Sequence, residues 1–96
     1  MAAGAGNWIK LHRSLLESDI WGDPSLVTLW IWCLLRANHR DREFQGRIIR
    51  RGSFVTGRHQ AAQELGYSGG KVLRGLDRLE SRGMITRQAN NRFTIV

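Results

Sequence analysis

The most apolar segment of the chain lies between Leu26 and Leu35, and it predicts the first helix. Asp23, a good helix cap, and Pro24, which is tolerated at the first helical position, stand just before this segment. The helix is therefore expected over about 25–38. Because its centre is apolar on almost every side, it should be buried on most sides or take part in a subunit interface.

Shorter patterns surround this helix. Residues 1–6 are small and are expected to be disordered. The other expected elements are a strand over 8–12, a short helix over 13–18, a polar loop over 39–45, and a strand over 47–49 with 53–55 as its partner or continuation. A second helix is predicted over 58–65, capped by Thr56 or Gly57 and ended by Gly66 in the left-handed conformation that glycine accepts cheaply.

The third helix is predicted over 68–83, and its sequence separates an apolar side from a basic side. At roughly 100° per residue, Val72, Leu76 and Leu79 fall within roughly 60° of one another and should dock the helix on the core. Four basic residues fall within roughly 80° of one another on a different side. They are Lys71, Arg74, Arg78 and Arg82.

β-type runs at 84–88 and 92–96, with a tight turn at 89–91, predict a hairpin after the third helix. Two short helices joined by a tight turn fit a helix-turn-helix. With the hairpin, the predicted fold is a winged helix-turn-helix, an α+β domain in which a three-helix core carries a small antiparallel β-hairpin wing over 84–96. Residues 7–96 are expected to form this single domain.

The distribution of charge suggests a polyanionic partner. The chain has 15 Lys and Arg against 8 Asp and Glu, a net charge of +7. Residues 47–96 carry this whole excess, and Arg is favoured where phosphates are gripped bidentately. A basic surface that serves only solubility is the alternative. The single Cys33 excludes a disulfide framework and is expected to be a small core residue.

A helix-turn-helix places its second helix in the major groove of DNA, where the early residues meet base edges. Lys71 and Arg74 are therefore the expected base readers, since Lys or Arg can pair with guanine O6 and N7. Arg78 and Arg82 lie further along and are expected to meet phosphates. Ser68, with the free amides at the helix start, forms a natural phosphate site.

Several residues of this helix limit base reading. Gly69 and Gly70 cost helix stability, and they indicate either close approach of the backbone to DNA or a flexible start with little side-chain readout. Leu73 stands where a polar base-contacting residue is common. It is expected to touch a thymine methyl or to extend the core. Sequence specificity should therefore be modest.

Further DNA contacts are expected outside the third helix. The start of the second helix crosses the DNA backbone in this motif, which points to Thr56, Arg58, His59 and Gln60. The wing should reach a minor groove or flanking phosphates through Arg87, Asn90, Asn91 and Arg92. The alternative for the two asparagines is that they serve only the turn.

Catalytic chemistry has little support in the sequence. His12, His39 and His59 lie on separate elements without metal-ligand spacing, and there is no glycine-rich phosphate loop. We therefore expect no enzyme activity, no metal and no cofactor. The absence of a signal segment and of an apolar stretch long enough to span a bilayer favours a cytoplasmic protein, nucleoid-associated in a bacterium or encoded by a phage.

Residues 67–85 resemble the recognition helix and first wing strand of bacterial winged-helix proteins, through Ser68, Val72, Leu76, Leu79, Gly83 and Ile85. Upstream, the residues at 8–13, 18–21, 29–35 and 52–57 look like the N-terminal domain of phage replication and DnaD-type primosome proteins. The likeness covers nearly the whole chain after Asn7. It implies a DNA-binding module of a replication-initiation or transcription-regulatory protein, which in that family is often followed by a second domain. These 96 residues do not contain that domain and are expected to be either a whole protein or a fragment of a longer one.

The alternative function is a protein-interaction or dimerisation module with the same fold. All four tryptophans lie in the first half, whose charge is balanced, and aromatic residues are enriched at interfaces. These residues are Trp8, Trp21, Trp30 and Trp32, and they either form an interface or fill the core. The expected partners are thus double-stranded DNA, a second copy of the chain, and a replication or regulatory protein.

Overall fold

The computed structural model describes residues 8–89 and 94–95, with the backbone alone at Arg58, Ala89, Thr94 and Ile95. This part is α+β, with three α helices and antiparallel strands. The elements are a 3₁₀ helix (Arg13–Glu17), α1 (Pro24–Arg36), β1 (Arg42–Phe44), β2 (Arg47–Ile49), β3 (Val55–Thr56), α2 (Arg58–Leu65), α3 (Gly69–Ser81), β4 (Gln88–Ala89) and β5 (Thr94–Ile95). The predicted disorder over 1–6, the turn tip and Phe93 lie outside the described residues.

The predicted start of α1 is confirmed. Asp23 Oδ1 accepts a hydrogen bond from the Leu26 amide at 3.2 Å, and Pro24 is the first helical residue. The short helix before it is also confirmed, as a 3₁₀ turn. The strand predicted over 8–12 is wrong, since this segment pairs with no other strand in the part of the chain described. Alternation of apolar and polar residues suits a strand, but it supplies no partner.

The loop predicted over 39–45 is wrong, because its second half forms a hairpin with the next strand. β1 pairs with β2, and Phe44 lies opposite Arg47. Gln45 and Gly46 form the turn with φ of 50° and 79°, the two positive values of the tightest hairpin turn. A glutamine rarely adopts a positive φ, so the turn carried no clear sequence signal.

β3 is the partner of β5 and lies in a different sheet from β2, so the expectation that 53–55 is the partner or the continuation of the 47–49 strand is wrong in both forms. β5 pairs on its other side with β4, which gives an antiparallel sheet in the order β3-β5-β4. The strand predicted over 84–88 begins only at Gln88. Met84 and Ile85 pack against the core instead, so the chain leaves α3 along the core before it enters the sheet.

α2 and α3 lie where the sequence predicts them, and capping residues mark their ends. Gly66 ends α2 with φ of 73°, and Ser68 Oγ accepts a hydrogen bond from the Lys71 amide at 3.1 Å. At the other end of α3, the amide of Met84 bonds to the carbonyl of Leu79 across Gly83, whose φ is 74°. This Schellman motif satisfies the last carbonyls of the helix and turns the chain sharply towards the sheet.

One apolar core joins the 3₁₀ helix, all three α helices and the segment before β3. The prediction for α3 is confirmed, since Val72, Leu76 and Leu79 are at most 3% exposed. The other members are Leu15, Ile20, Leu26, Leu29, Trp32, Cys33, Phe54 and Ala61. Cys33 is thus a core residue, as predicted, and burial raises the pKa of its thiol to about 12. The core fixes the orientation of α3 and therefore decides which of its residues face outward.

Candidate nucleic-acid interface

The exposed side of α3 begins with two basic residues that no carboxylate neutralises. Arg74 is exposed and Lys71 is half-buried, and neither has an ion-pair partner among the described residues. Leu73, between them, is 38% exposed, so the expectation that it extends the core is wrong. Its other predicted role, contact with a thymine methyl, stays a prediction. This first half of α3 thus presents cationic and apolar groups to solvent.

Tyr67 connects this surface to α1. Its hydroxyl donates a hydrogen bond to the Ser25 carbonyl at 2.9 Å, and the Lys71 Nζ lies 4.2 Å from the centre of its ring. The cation–π contact orients Lys71 while leaving its charge uncompensated. A groove of about 360 Å³ lies between the start of α1 and α3. Its polar lining comes from Asp23, Ser25, Tyr67, Lys71, Arg74 and Arg78.

The second half of the predicted basic stripe is paired within the protein. Arg78 Nη1 lies 3.2 Å from Asp23 Oδ2, and Arg82 Nη2 lies 2.7 Å from Asp19 Oδ2. Both carboxylates precede α1, in the half of the chain whose charges balance. Exposed ion pairs of this kind contribute about 0–1 kcal/mol. They lower the local positive potential, yet they are weak enough for a phosphate to replace the carboxylate.

Arg87 is held against α3. Its guanidinium forms ion pairs with Asp77 and, at 2.9 Å, with Glu80 Oε1. Its backbone amide also donates to Glu80 Oε2 at 3.3 Å. Burial lowers the pKa of Arg87, but the hydrogen bonds to Glu80 and Asp77 outweigh it and hold the pKa above its ordinary value. Arg87 therefore fixes the approach to β4 on α3, a structural role that the sequence analysis did not predict.

The first turns of α2 and α3 differ in the groups that they offer to a phosphate. The cap of α2 is Gly57, which supplies no side-chain hydrogen bond, so the first-turn amides lack a side-chain partner. His59 and Gln60 are exposed beside them, whereas Thr56 lies in β3 and is 2% exposed, so the expectation that it caps α2 or contacts DNA is wrong. In α3, by contrast, the Ser68 hydroxyl accepts a hydrogen bond from one first-turn amide. Gly69 is half-buried and Gly70 is exposed. The side chain of Arg58, and all of Asn90, Asn91 and Arg92, lie outside the described residues.

The β1–β2 hairpin brings further basic residues to the surface, and the sequence analysis missed them. Arg47 Nη2 donates a hydrogen bond to Gln88 Oε1 in β4 at 3.0 Å. Arg42 lines a groove of about 730 Å³ together with His59 and Gln60 of α2. The sequence offers only a weak signal for this hairpin, Gly46 between two short β-type segments, because Gln-Gly is not among the steps preferred in tight hairpin turns.

Pairing with carboxylates divides the basic residues into two groups. In the described part, Arg58 aside, five are paired: Arg36, Arg50, Arg78, Arg82 and Arg87. The others are Lys10, Arg13, Arg40, Arg42, Arg47, Arg51, Lys71 and Arg74. Uncompensated charge is therefore concentrated at the start of α3 and on the β1–β2 hairpin with its adjoining turns.

Models of protein families, curated proteins and solved structures were compared with this chain, and none of them matches it. Within the described residues, every helix is too short or too polar to cross a bilayer. A function for the chain therefore has to be inferred from its fold and from the chemistry of its surface.

Proposed function

We propose that the chain is a winged helix-turn-helix domain that binds double-stranded DNA, with α3 in the major groove. The order of the elements supports this fold: two helices joined by a tight turn, then β4 and β5, with β5 also pairing with β3 from before α2. The observation that carries the function is the start of α3. There, Lys71 and Arg74 lie opposite a buried apolar face and have no carboxylate partner in the described part.

Each group has a distinct role in this proposal. Lys71 and Arg74 read base edges, and guanine is the base that suits them best. Arg78 and Arg82 exchange their carboxylate partners for DNA phosphates, and the uncapped start of α2 contacts the backbone of the duplex. Gly69, Gly70 and Leu73 offer no polar side chain, so the affinity comes mainly from phosphates and base preference is modest.

The proposed setting is a replication-initiation or transcription-regulatory protein of a phage, a plasmid or a bacterial chromosome, acting in the cytoplasm without catalysis. It rests on the resemblance to phage replication and DnaD-type primosome proteins. Selection of bound sequences from random duplex DNA at physiological salt tests the specificity. A clear motif favours a regulator or origin binder, and no enrichment favours sequence-tolerant binding.

The test of DNA binding is a double variant, Lys71→Gln with Arg74→Gln. Fluorescence anisotropy follows a labelled duplex of about 20 base pairs, longer than the 39 Å longest extent of the protein at roughly 3.4 Å per base pair. Affinity is expected to fall about tenfold or more near physiological salt. Because both residues are assigned to base edges, the variant should also lose the preference of the wild type for duplexes that contain guanine.

A matched control carries Lys10→Gln and Arg13→Gln, which remove the same charge from exposed positions away from the start of α3. It should bind nearly as tightly as wild type. If the Lys71/Arg74 variant binds as tightly as this control at every salt concentration, α3 is not the DNA-reading helix.

The second candidate is a protein-interaction or dimerisation module, which two exposed tryptophans favour. Trp8 is 62% exposed and Trp21 is 48% exposed, whereas Trp32 is buried in the core and Trp30 packs against it. Light scattering tests this candidate. A dimer that forms without DNA and is lost in a Trp8→Ala, Trp21→Ala variant supports it, whereas a strict monomer that binds DNA argues against it. A dimer that also binds DNA predicts a two-fold symmetric site.

A further inference from the structure

The β1–β2 hairpin and its adjoining turns form a second concentration of uncompensated charge. Four exposed arginines there have a guanidinium group without an ion pair in the described part of the chain: Arg40, Arg42, Arg47 and Arg51, although the backbone amide of Arg51 donates a hydrogen bond to Asp41 Oδ1 at 2.8 Å. A fifth, Arg50, is paired with Asp41 at 3.6 Å. None of these positions belongs to the α3 surface or to the wing.

The register of the hairpin determines where two of these side chains lie. Arg42 is opposite Ile49, and Phe44 is opposite Arg47. Cross-strand partners share a face, and so do alternate residues of one strand. Arg42 and Arg47 therefore lie on the same face as Ile49, which is 2% exposed. This face is turned towards the rest of the protein, yet both arginines are exposed.

The hairpin adjoins two elements: the start of α2, which the proposed function places against the DNA backbone, and the wing, which is expected to reach a minor groove or flanking phosphates. Arg47 bonds to Gln88 of β4, at the base of the wing. Arg42 shares its groove with His59 and Gln60 at the start of α2. The cations of the hairpin are thus continuous with the proposed DNA surface.

We propose that the β1–β2 hairpin is a second DNA-contacting surface, which grips phosphates next to the segment read by α3. This inference rests on the proposed function. Guanidinium groups form strong, bidentate hydrogen bonds with phosphates. The partner of Arg47 is a neutral amide, so that contact orients the side chain without cancelling its charge.

A triple variant tests the inference: Arg42→Gln, Arg47→Gln and Arg51→Gln. On the duplex of about 20 base pairs, its affinity should fall about tenfold to a hundredfold near physiological salt, with a salt slope shallower by about 0.9 per lost contact. The loss should be equal across DNA sequences, whereas loss of a base reader changes sequence preference. The control variant carries Lys10→Gln and Arg13→Gln, at exposed positions outside both proposed DNA surfaces, and the losses are compared per charge removed. An unchanged urea midpoint verifies that the variants are folded.

The outcomes separate the inference from the proposed function. If the hairpin variant binds like its control while the Lys71/Arg74 variant is weakened, the inference is wrong and the proposed function stands. If only the hairpin variant is weakened, the role of α3 is wrong and the hairpin remains a DNA-contacting surface. If the hairpin variant loses binding to phosphatidylserine vesicles but keeps its DNA affinity, the partner is an anionic membrane and the inference is overturned.

Discussion

The carboxylate of Asp23 takes part in two interactions at once. One oxygen caps α1 through the Leu26 amide, and the other pairs with Arg78 of α3. The cap could be predicted because it joins residues three positions apart. The ion pair could not, because its partners lie 55 residues apart and meet only after α3 docks on α1.

Asp23→Asn separates the two interactions. Asparagine caps helices about as well as aspartate, so the free energy of unfolding should change by less than about 0.5 kcal/mol. Loss of the negative charge frees Arg78, and DNA affinity in the anisotropy assay should rise about twofold to fivefold. Glu17→Gln makes the same charge change on the 3₁₀ helix and serves as the control. An affinity gain no larger than that of the control would show that Arg78 does not contact DNA.

Glu64 provides a prediction of pH dependence. Hydrogen bonds from Trp32 and then Gln60, with a smaller contribution from the charge of Arg36, lower the pKa of Glu64 against the opposing effect of burial. A lowered pKa in the folded state means that the carboxylate stabilises the fold above its unfolded pKa of about 4.3. That contribution is lost as the pH falls through the folded pKa.

Glu64→Gln should therefore lower the urea midpoint at pH 7, and the difference from wild type should shrink well below pH 4. Glu17→Gln, at a residue without a side-chain partner among the described residues, should show no such convergence. A difference for Glu64→Gln that stays constant down to the acid limit would mean that the charge of Glu64 does not contribute.

At the scale of the elements, α3 packs so closely on α1 that one position has room only for glycine. A Cβ at Gly75 would overlap Leu29 Cδ2, and Leu29 is 1% exposed and cannot move aside. At Gly70 a Cβ would meet only the flexible end of Arg74, at 3.2 Å. Helical sequence pattern alone cannot distinguish these two glycines, because the difference lies in the neighbouring helix.

Gly75→Ala should destabilise the protein by about 1–3 kcal/mol, despite the better helix propensity of alanine. Gly70→Ala should stabilise it by about 0.5–1 kcal/mol, since it gains propensity without overlap. Urea unfolding measures both, and equal effects would contradict this packing. If Gly70→Ala also weakens DNA binding in the Arg74→Gln background, where displacement of Arg74 cannot contribute, close approach of the backbone to DNA explains this glycine. If DNA binding is unchanged, a flexible helix start explains it.

The turn of the β1–β2 hairpin stores a small amount of backbone strain at Gln45, whose φ is 50°. Gln45→Asn should stabilise the protein by about 0.5–1 kcal/mol, because asparagine accepts this conformation more readily. For a chain of this size, the thermal midpoint should rise by roughly 2–6 °C. Gly46→Ala, at φ of 79°, should lower it. A lower midpoint for Gln45→Asn would contradict the turn geometry.

At the scale of the whole molecule, a single core makes Cys33 a reporter of global unfolding. The residue is 4% exposed, and burial raises the pKa of its thiol to about 12. Because the thiolate is the reactive form, iodoacetamide should not label native protein at pH 8. The labelling rate in urea should instead follow the unfolding measured by circular dichroism. Labelling in native buffer that is much faster than unfolding would mean that the core opens locally.

The net charge is also a property of the whole molecule, but the three-dimensional arrangement decides where positive charge is left without a carboxylate partner. The sequence places the excess of +7 in the second half of the chain and assigns a stripe of four cations to α3. In the fold, Asp19 and Asp23 pair with the two cations in the C-terminal half of that stripe. Positive charge without a carboxylate partner in the described part is therefore concentrated at the start of the stripe and on the β1–β2 hairpin. The cations counted along the sequence of α3 therefore overstate the positive charge that this helix presents to a partner.

The sequence by itself determined the helices, their ends and the buried face of α3. Caps such as Asp23, Gly66 and Ser68 act within a few residues, and helical periodicity is a local property of the chain. Only the tertiary structure decided that β3 pairs with β5, which cations are neutralised and which glycine lies against a neighbouring helix. Each of these contacts joins residues far apart in the sequence, so it contributes free energy only after the core has brought the elements together.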